Sequence, residues 1–334
     1  MNTSRKNATC VQHRPIKVLV SSASKKAPLI NAMQIAAKRI CSSAKVVAGD
    51  LDRQAISAFV ADEFWSMPPT NENSVETIIE GCVRRGITCV LPTRDGELLF
   101  WARHLREFKM AGISVIVSPV DSLKVNLDKL EFSLFGAKYG LPFILSTESP
   151  DELDDVANWV VKERFGAGSR SIGVKLDRSA AIAHARQLEI PIYQPYIDGT
   201  EISIDAWLDQ KHHVKGVVLR RRDLVMNGES LVTSTFRDPH IEAETTRILE
   251  LLHLSGPVVM QAIIDAQGNM HVIECNARFG GASTASITAG LDSLYWSLLE
   301  IEGNIIANYP FLRVPEEIRQ IRISKDIHVC HSDF

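Results

Sequence analysis

Short apolar runs alternate with longer amphipathic segments along the first third of the chain. The runs over residues 16–20, 46–48, 88–91 and 114–117 predict buried strands, and the segments over 28–39, 75–85 and 97–108 predict helices. Such alternation is typical of right-handed βαβ units around a parallel sheet. The first strand runs into Ser21-Ser22-Ala23 instead of a GxGxxG sequence, so this sheet need not bind a nucleotide.

After residue 120 the pattern combines short strands, helix caps and hairpins. Asn126 or Asp128 can begin a helix that stops at Gly140; then follow a strand over 158–162, a loop over 164–173, a strand over 174–176, a helix over 179–188 and a strand over 192–197. The last third predicts strands over 201–208 and 214–219, a polar loop over 220–230, a helix from Pro239, and a hairpin of strands 258–264 and 270–275. We therefore expect α/β character first and α+β character afterwards.

Composition and charge narrow the class of protein. The 334 residues are enough for two or three packed subdomains, and the net charge of −3 provides no broad basic field for nucleic acid. No apolar run is long enough to span a bilayer, and residues 1–14 lack the apolar stretch of a secretory signal. The six cysteines form no CxxC pair, which favours reduced thiols. We expect a cytoplasmic protein that binds neither nucleic acid nor membranes.

The strongest chemical pattern lies in the predicted C-terminal hairpin. A turn centred on residues 267–268 places Gln261 opposite Glu274, and Asn276 shares a face with Glu274 because alternate strand residues point the same way. One carboxylate and two amide oxygens suit Mg²⁺, which takes the rest of its ligands from phosphates and water. Arg278 can follow on the same side. A wet face of a surface strand is the alternative, but Gly280-Gly281 just beyond would let the backbone approach a ligand.

A second pattern is a lysine that leaves a buried strand beside a glycine-rich loop. Lys162 is followed by a loop containing Gly166, Gly168 and Ser169, whose N–H groups can surround phosphate oxygens. The GK[ST] ending of a Walker A motif is missing, and a glycine-rich hairpin turn explains the pattern equally well. Lys129, at the start of a predicted helix, is either an exposed side chain or a second phosphate-binding cation.

A third pattern is a short extended segment followed by a turn and an acid. The residues Gln194-Pro195-Tyr196-Ile197 can present backbone C=O and N–H groups to an adenine edge, and Glu201 can accept hydrogen bonds from ribose hydroxyls. By itself this segment reads more simply as an ordinary strand and turn.

Taken in their order along the chain, these features resemble the ATP-grasp superfamily, and most closely its carbamoyl-phosphate-synthase-like branch with a single ATP-grasp unit. The resemblance implies an ATP-grasp fold with a mobile lid subdomain. Its divisions would be a disordered tail over 1–14, a Rossmann-like preATP-grasp domain over 15–120, the lid subdomain over 121–198, an antiparallel-sheet subdomain with the metal site over 199–326, and a tail over 327–334.

The resemblance also implies the roles of the residues. Lys129 and Lys162 would bind the ATP phosphates under a loop formed by 166–173, residues 194–197 would flank adenine, and Glu201 would bind the ribose. The metal ligands for Mg²⁺ or Mn²⁺ would be Gln261, Glu274 and Asn276, while Arg278 and Lys162 would be catalytic. Pro195 stands where the family often has Glu, but it keeps its carbonyl and Ile197 keeps its N–H. Substrate contacts are expected from Arg220, Glu229, Ser230, Gly280 and Gly281.

The function that this resemblance implies is an ADP-forming carboxylate–amine ligase, which activates a small carboxylate such as an amino acid as an acyl phosphate. Two alternatives remain open at this point. One is an enzyme that forms carbamate or carboxyphosphate, and the other is a nucleotide-binding regulatory protein without ligase activity. The expected partners are small carboxylate and amine substrates, with a homodimer as one possible assembly.

Overall fold

A computed structural model describes residues 16–166, 171–226 and 228–328. The predicted tail over 1–14 and most of the tail over 327–334 lie outside the described residues, and so do Gly168 and Ser169 of the predicted phosphate loop. Within the described ranges, no helix combines the length and the apolar character that a membrane crossing needs.

A five-stranded parallel sheet forms the first part of the chain, as the alternating pattern predicts. Its order is β3-β2-β1-β4-β5, with β1 Lys17–Val20, β2 Lys45–Asp50, β3 Glu63–Ser66, β4 Cys89–Leu91 and β5 Ser114–Val115. Val20 lies opposite both Ala48 and Leu91, so the carboxyl ends of the three central strands meet at one edge. The chain adds strands on one side of β1 and then moves to its other side, which makes the gap between β1 and β4 a topological switch point.

Four helices accompany this sheet: α1 Ala27–Ile40, α2 Val75–Arg85, α3 Asp95–Arg103 and α4 Leu105–Met110. The single helix predicted over 97–108 was wrong, because the backbone leaves helical geometry at His104 (φ −102°, ψ 16°). The side chain of His104 there reaches Glu72 at 2.8 Å. Strand β3 was missed, since Trp65 is its one buried residue and so short a run carries no periodic pattern.

The middle of the chain contains a three-stranded antiparallel sheet of order β7-β6-β8, with β6 Trp159–Glu163, β7 Gly173–Leu176 and β8 Pro191–Pro195. Its helices are α5 Val120–Leu127, α6 Lys129–Tyr139 and α7 Arg178–Ala185. Asp128 caps α6 by accepting the N–H of Leu130 at 3.0 Å, and it also accepts two hydrogen bonds from the Arg164 guanidinium at 2.8 and 2.7 Å. The start of α6 is thereby tied to the end of β6.

The last part of the chain forms a six-stranded antiparallel sheet of order β13-β12-β9-β10-β11-β14. The strands are β9 Thr200–Leu208, β10 Val214–Met226, β11 Glu229–Phe236, β12 Gly256–Ile264, β13 Met270–Asn276 and β14 Arg319–Ile321; the helices are α8 Pro239–Leu251, α9 Thr284–Thr288 and α10 Ser293–Ile301. The polar loop predicted over 220–230 was wrong. Those residues belong to a β10–β11 hairpin, because Leu219 through Arg221 pair with both β9 and β11 and a buried carboxylate neutralises Arg220.

The two large sheets share a continuous hydrophobic core. Leu19, Val90 and Trp101 from the parallel-sheet part belong to the same buried cluster as Ile204 of β9 and Met260 of β12. Close-packed interiors resist relative displacement. This shared core therefore holds the carboxyl edge of the parallel sheet against the face of the C-terminal sheet, and the candidate site lies between them.

Candidate active site

The β12–β13 hairpin brings the three proposed metal ligands together. Gln261 lies directly opposite Glu274, in the register that the turn predicts, and the Asn276 amide donates to Glu274 Oε1 at 2.9 Å. Cys275 is buried on the other face of the strand. One carboxylate and two amides thus share the half-exposed face of the hairpin, and a bulge follows Gln261.

Lys162 of β6 is the cation whose surroundings are most unusual. Its side chain is only 5% exposed, and among the described residues none accepts a hydrogen bond from its ammonium group. Burial lowers the pKa of Lys162 to about 8, while the nearby carboxylates of Glu274 and Glu201 act in the opposite direction and Lys129 lowers it further. A buried charge without a partner is costly unless a ligand supplies one.

Lys129 stands beside Lys162 at the start of α6. Its ammonium donates to the carbonyl of Gly166 at 2.8 Å, and Gly166 is the last described residue before the gap in the glycine-rich loop. Burial lowers the pKa of Lys129 as well, and Glu274 and Asp95 oppose that shift. Lys129 and Lys162 therefore both lie within electrostatic reach of the Glu274 carboxylate on the β12–β13 hairpin.

In the segment proposed to flank adenine, the Gln194 side chain is already hydrogen-bonded, so a ligand would meet backbone groups. The Gln194 amide is buried and donates to Ser146 Oγ at 2.8 Å, and the Tyr196 N–H is taken by the carbonyl of Asn158. In the part of the chain that the structure describes, the Ile197 N–H has no acceptor. Glu201 is paired with Arg222, a residue that the sequence reading missed and that also donates to the Gly228 carbonyl at 2.9 Å.

Arg278 forms a bidentate ion pair with Asp95 in the N-terminal part of the chain. Its Nε and Nη2 donate to the two carboxylate oxygens of Asp95 at 2.8 and 2.7 Å. Asp95 is the first residue of α3, shortly after β4. Sequence reasoning missed this partner, which lies 183 residues away along the chain. Planar bidentate pairing of this kind orients a guanidinium strongly.

Arg220 is not a direct substrate contact in this arrangement, contrary to the expectation from the sequence. Both Arg220 and Asp205 are only 2% exposed, and Arg220 Nε donates to Asp205 at 2.5 Å. Asp205 also accepts hydrogen bonds from Ser283 Oγ at 2.5 Å and from Ser286. The sequence pattern of adjacent arginines could not show which of them faces the interior.

The buried Asp205 cluster supports the glycine turn beyond Arg278. Ser283 Oγ accepts the N–H of Gly280 at 3.1 Å, so Asp205 holds the turn through Ser283. A Cβ atom at Gly280 would lie 2.7 Å from both Ser283 Oγ and a Val259 methyl, which leaves room for glycine alone. Gly280 therefore serves close packing of the backbone.

Two of the remaining proposed substrate residues, Glu229 and Gly281, contact Arg322. Arg322 donates to Glu229 at 2.9 Å and to the carbonyl of Gly281 at 2.5 Å. Glu229 also lies 3.3 Å from Lys25, which follows β1 in the N-terminal sheet. Ser230 is buried and accepts from Arg222 at 3.1 Å. The tip of the β10–β11 hairpin thus reaches across to the loop after β1.

These observations fit magnesium ATP. In the described part of the chain, neither the Lys162 ammonium nor the Ile197 N–H has a hydrogen-bond acceptor. Lys162 and the neighbouring Lys129 could therefore bind phosphate oxygens, and the Ile197 N–H could bind adenine. Among the described residues, no group of three His, Cys, Asp or Glu side chains could hold a metal by itself. A metal would therefore depend on Glu274, on amide oxygens and on phosphate oxygens, which is how Mg²⁺ is commonly bound beside a nucleotide.

Comparisons with known proteins agree with this architecture. Residues 18–116 match the family described as PylC-like, N-terminal domain, and residues 188–325 match the family described as ATP-grasp in the biosynthetic pathway with Ter operon. No curated protein sequence matched the chain.

Solved structures extend the similarity to most of the chain. The biotin carboxylase domain of Hydrogenobacter thermophilus 2-oxoglutarate carboxylase, in complex with MgADP, ADP and bicarbonate, has a TM-score of 0.73 and 17% identity, over 93% of this chain and 75% of that one. An L-amino acid ligase from Bacillus licheniformis has a TM-score of 0.67 and 17% identity, over 89% and 76%. N5-carboxyaminoimidazole synthetase from Staphylococcus aureus has a TM-score of 0.66 and 14% identity, over 87% and 78%. At these identities the similarity concerns the fold. These comparisons show that this chain has the fold of these enzymes, and the ATP-grasp family model matches its residues 188–325.

Proposed function

We propose that the protein is an ATP-dependent carboxylate–amine ligase that releases ADP and phosphate. The observation that carries this proposal is the convergence of two lysines, an oxygen-rich hairpin and a fixed arginine. Lys129 and Lys162 lie within electrostatic reach of Glu274, and Arg278 follows Asn276 in the chain by two residues. Phosphoryl transfer depends mainly on positioning and on neutralisation of charge, which such a group of residues can provide.

The residues divide between binding and reaction. Lys129 and Lys162 would hold the phosphates of ATP, and Gln261, Glu274 and Asn276 would hold Mg²⁺. The metal, when bound, would supply positive charge that offsets the negative charge of the phosphates. The backbone of residues 195–197 would receive adenine, and Glu201 would receive the ribose after exchange of its contact with Arg222.

The reaction follows from attack at the γ-phosphorus. A carboxylate oxygen of the acid forms the new O–P bond while the bond between the β–γ bridging oxygen and the γ-phosphorus breaks, so ADP departs with that electron pair. The amine then attacks the acyl carbon, inorganic phosphate leaves, and the amine loses a proton. Arg278 would stabilise the negative charge that builds on the acyl group, and its bidentate contact with Asp95 holds the guanidinium in one orientation.

Exclusion of water is the remaining requirement, since an acyl phosphate hydrolyses readily. The loop that the sequence predicts to close over the phosphates lies mostly outside the described residues, and Gly166 is the last described residue before that gap. Gly166 has φ +97°, a conformation that glycine adopts without strain, and its carbonyl already contacts Lys129. Binding of the phosphates by Lys129 would therefore be coupled to the position of Gly166.

The test is a count of products during turnover. The protein is incubated with Mg²⁺, ATP and separate carboxylic acids or bicarbonate, with hydroxylamine as a substitute amine, and nucleotides are separated by chromatography. We expect ADP and an acid-dependent hydroxamate, and Arg278→Ala should lose the hydroxamate while it keeps nucleotide binding. AMP as the main product would refute the mechanism. Turnover with bicarbonate alone would favour the carboxyphosphate alternative, and binding without any turnover would favour a regulatory protein.

A further inference from the structure

The crevice between the carboxyl ends of β1 and β4 is a second feature that faces the reaction centre. Open α/β sheets bind ligands at the point where the strand order reverses, outside the carboxyl ends of the strands. In this sheet that point lies between β1 and β4. The segment Ser21–Lys26 leaves the first strand there, and Thr93–Asp95 follows the other strand.

The two segments are locked to each other. Thr93 Oγ1 donates to the carbonyl of Ser21 at 2.6 Å. The buried Glu97 carboxylate accepts the N–H groups of Thr93 at 2.9 Å and Arg94 at 3.2 Å, and also the indole N–H of Trp101 at 3.1 Å. The backbone around Arg94 is therefore fixed by a carboxylate that is itself held in the core.

The backbone of the segment after β1, which forms the other side of the crevice, is strained. Ser22 and Ser24 have φ values of +49° and +41°, which side-chain-bearing residues rarely adopt. Residues held in such conformations concentrate at ligand-binding segments, where the surrounding structure sustains the strain. Both serines lie within the segment after β1, and the Ser22 hydroxyl is contacted by the Arg94 guanidinium at 3.4 Å.

Two cations in this crevice have no carboxylate within ion-pair distance among the described residues. The half-buried Lys26 donates to the carbonyl of Ser22 at 2.6 Å, and Arg94 reaches only the hydroxyls of Ser22 and Thr70, each at 3.4 Å. Across the described ranges, neither side chain has a carboxylate within ion-pair distance. Lys25, the neighbour of Lys26, does have one, because Glu229 lies 3.3 Å from it. Lys26 and Arg94 therefore make no direct ion pair among the described residues, although Glu97 and Asp50 act on Lys26 at longer range, and an anionic ligand could provide that contact.

The crevice is close to the arginine of the proposed reaction centre. Asp95 follows Arg94 directly and holds Arg278 through two hydrogen bonds. Burial lowers the pKa of Lys26, the carboxylates of Glu97 and Asp50 oppose that shift, and the nearby positive charges of Arg278 and Arg94 add to it. An acid whose activated carboxylate lies beside Arg278 would thus extend toward Lys26 and Arg94.

We propose that Lys26 and Arg94 bind a second carboxylate of the acid substrate, so that the protein acts on dicarboxylic acids or on amino acids with a side-chain carboxylate. The inference rests on the proposed ligase function, since it uses Arg278 to locate the carboxylate that is activated. Arg94 can bind a carboxylate with two parallel hydrogen bonds, and Lys26 adds a point charge. The Ser22 hydroxyl can accept or donate a third hydrogen bond.

The test compares acids of matched length in the presence of MgADP. Binding of glutarate and glutamate is measured by calorimetry against butyrate and 4-aminobutyrate, which lack the second carboxylate, and ADP release is measured with the same acids and hydroxylamine. We expect the dicarboxylates to bind at least about tenfold more tightly. Lys26→Met and Arg94→Gln should each remove most of that preference and leave MgADP affinity unchanged.

Matched controls come from the same two helices. Lys38→Met removes the same charge from the far end of α1, and Arg103→Gln does so at the far end of α3; both should behave as the wild type. Equal binding of mono- and dicarboxylates, or a preference that survives both site variants, would overturn the inference. ADP release with monocarboxylates as good substrates would leave the ligase function standing without it. Lys26-dependent binding of dicarboxylates without any ADP release would refute the ligase function alone.

Discussion

Replacement of Lys162 by methionine should change stability and nucleotide binding in opposite directions. The side chain is 5% exposed, and among the described residues its ammonium has no hydrogen-bond acceptor. Burial is the main reason that its pKa falls from 10.5 to about 8. This difference corresponds to a cost of roughly 3 kcal/mol for keeping the charge in the empty protein. Methionine has a similar shape and no charge, so we expect Lys162→Met to be more stable without nucleotide by about 1–3 kcal/mol.

The effect on nucleotide affinity has the other sign. A hydrogen bond from an ammonium to a phosphate oxygen contributes about 1.5–3 kcal/mol, which corresponds to a roughly 10- to 150-fold weaker Kd for MgATP in Lys162→Met. The gain in stability of the empty protein and the loss of affinity come from the same property, a buried charge that only a ligand can neutralise.

The pH dependence follows from the lowered pKa of Lys162. Below about pH 8 the lysine is protonated in both the folded and the unfolded chain, so the folded protein bears the full burial cost. Between about pH 8 and 10.5 the unfolded chain holds more protons at this residue, and the unfolding free energy of the wild type therefore rises with pH. The stability advantage of Lys162→Met should shrink over that range. Wild-type affinity for MgATP should fall as the pH rises above about 8, because the neutral amine must first gain a proton.

Both effects are measured on the same samples, by denaturant unfolding without nucleotide and by calorimetric titration with a non-hydrolysable ATP analogue. Lys109→Met, on the exposed face of α4, is the matched control and should change neither quantity. If Lys162→Met were less stable than the wild type at pH 7, or if it bound the analogue with wild-type affinity, the placement of this lysine at the phosphates would be wrong.

Three further variants probe the hairpin, the arginine and the buried ion pair. Glu274→Gln removes the only carboxylate of the proposed metal set, so ADP release should fall about 100-fold or more at an unchanged melting temperature, and near-normal turnover would argue against the site. Asp95→Asn should reduce hydroxamate trapping about 10- to 100-fold with little change in MgATP affinity, because Arg278 loses its orientation. Arg220→Met should cost about 3–5 kcal/mol in urea unfolding, since it leaves a buried carboxylate unpaired, whereas the exposed Arg221→Met should cost under about 1 kcal/mol.

The local sequence pattern was sufficient to predict the β12–β13 hairpin and the start of α6, which carry residues of the candidate site. The alternation of polar and apolar residues in 270–276 places Glu274 and Asn276 on one face and Cys275 on the other, and the turn determines that Gln261 lies opposite Glu274. These relations depend only on strand geometry and on the length of the hairpin. The start of α6 was likewise predicted to within two residues, at Asn126 or Asp128, because a cap acts on residues two or three positions away, and the structure shows that Asp128 is the cap.

The polar and apolar pattern was misleading where a buried charge is neutralised by a residue from a distant part of the chain. The arginine run at 220–222 reads as a solvated loop, yet it lies within a strand, because Asp205 from β9 neutralises Arg220 inside the sheet. Burial of an arginine costs much free energy unless its acidic partner is present, and that partner belongs to another strand.

What the sequence by itself determined is the fold class, the order of the motifs and the side-chain faces of the β12–β13 hairpin. All of these follow from interactions between residues that are near one another along the chain. Only the tertiary structure decided that Asp95 orients Arg278 across 183 residues and that Glu201 is paired with Arg222. It also decided that, among the described residues, Lys26 and Arg94 have no carboxylate within ion-pair distance. Ion pairs between distant segments depend on how the two sheets pack over their shared core, and no local periodicity encodes that packing.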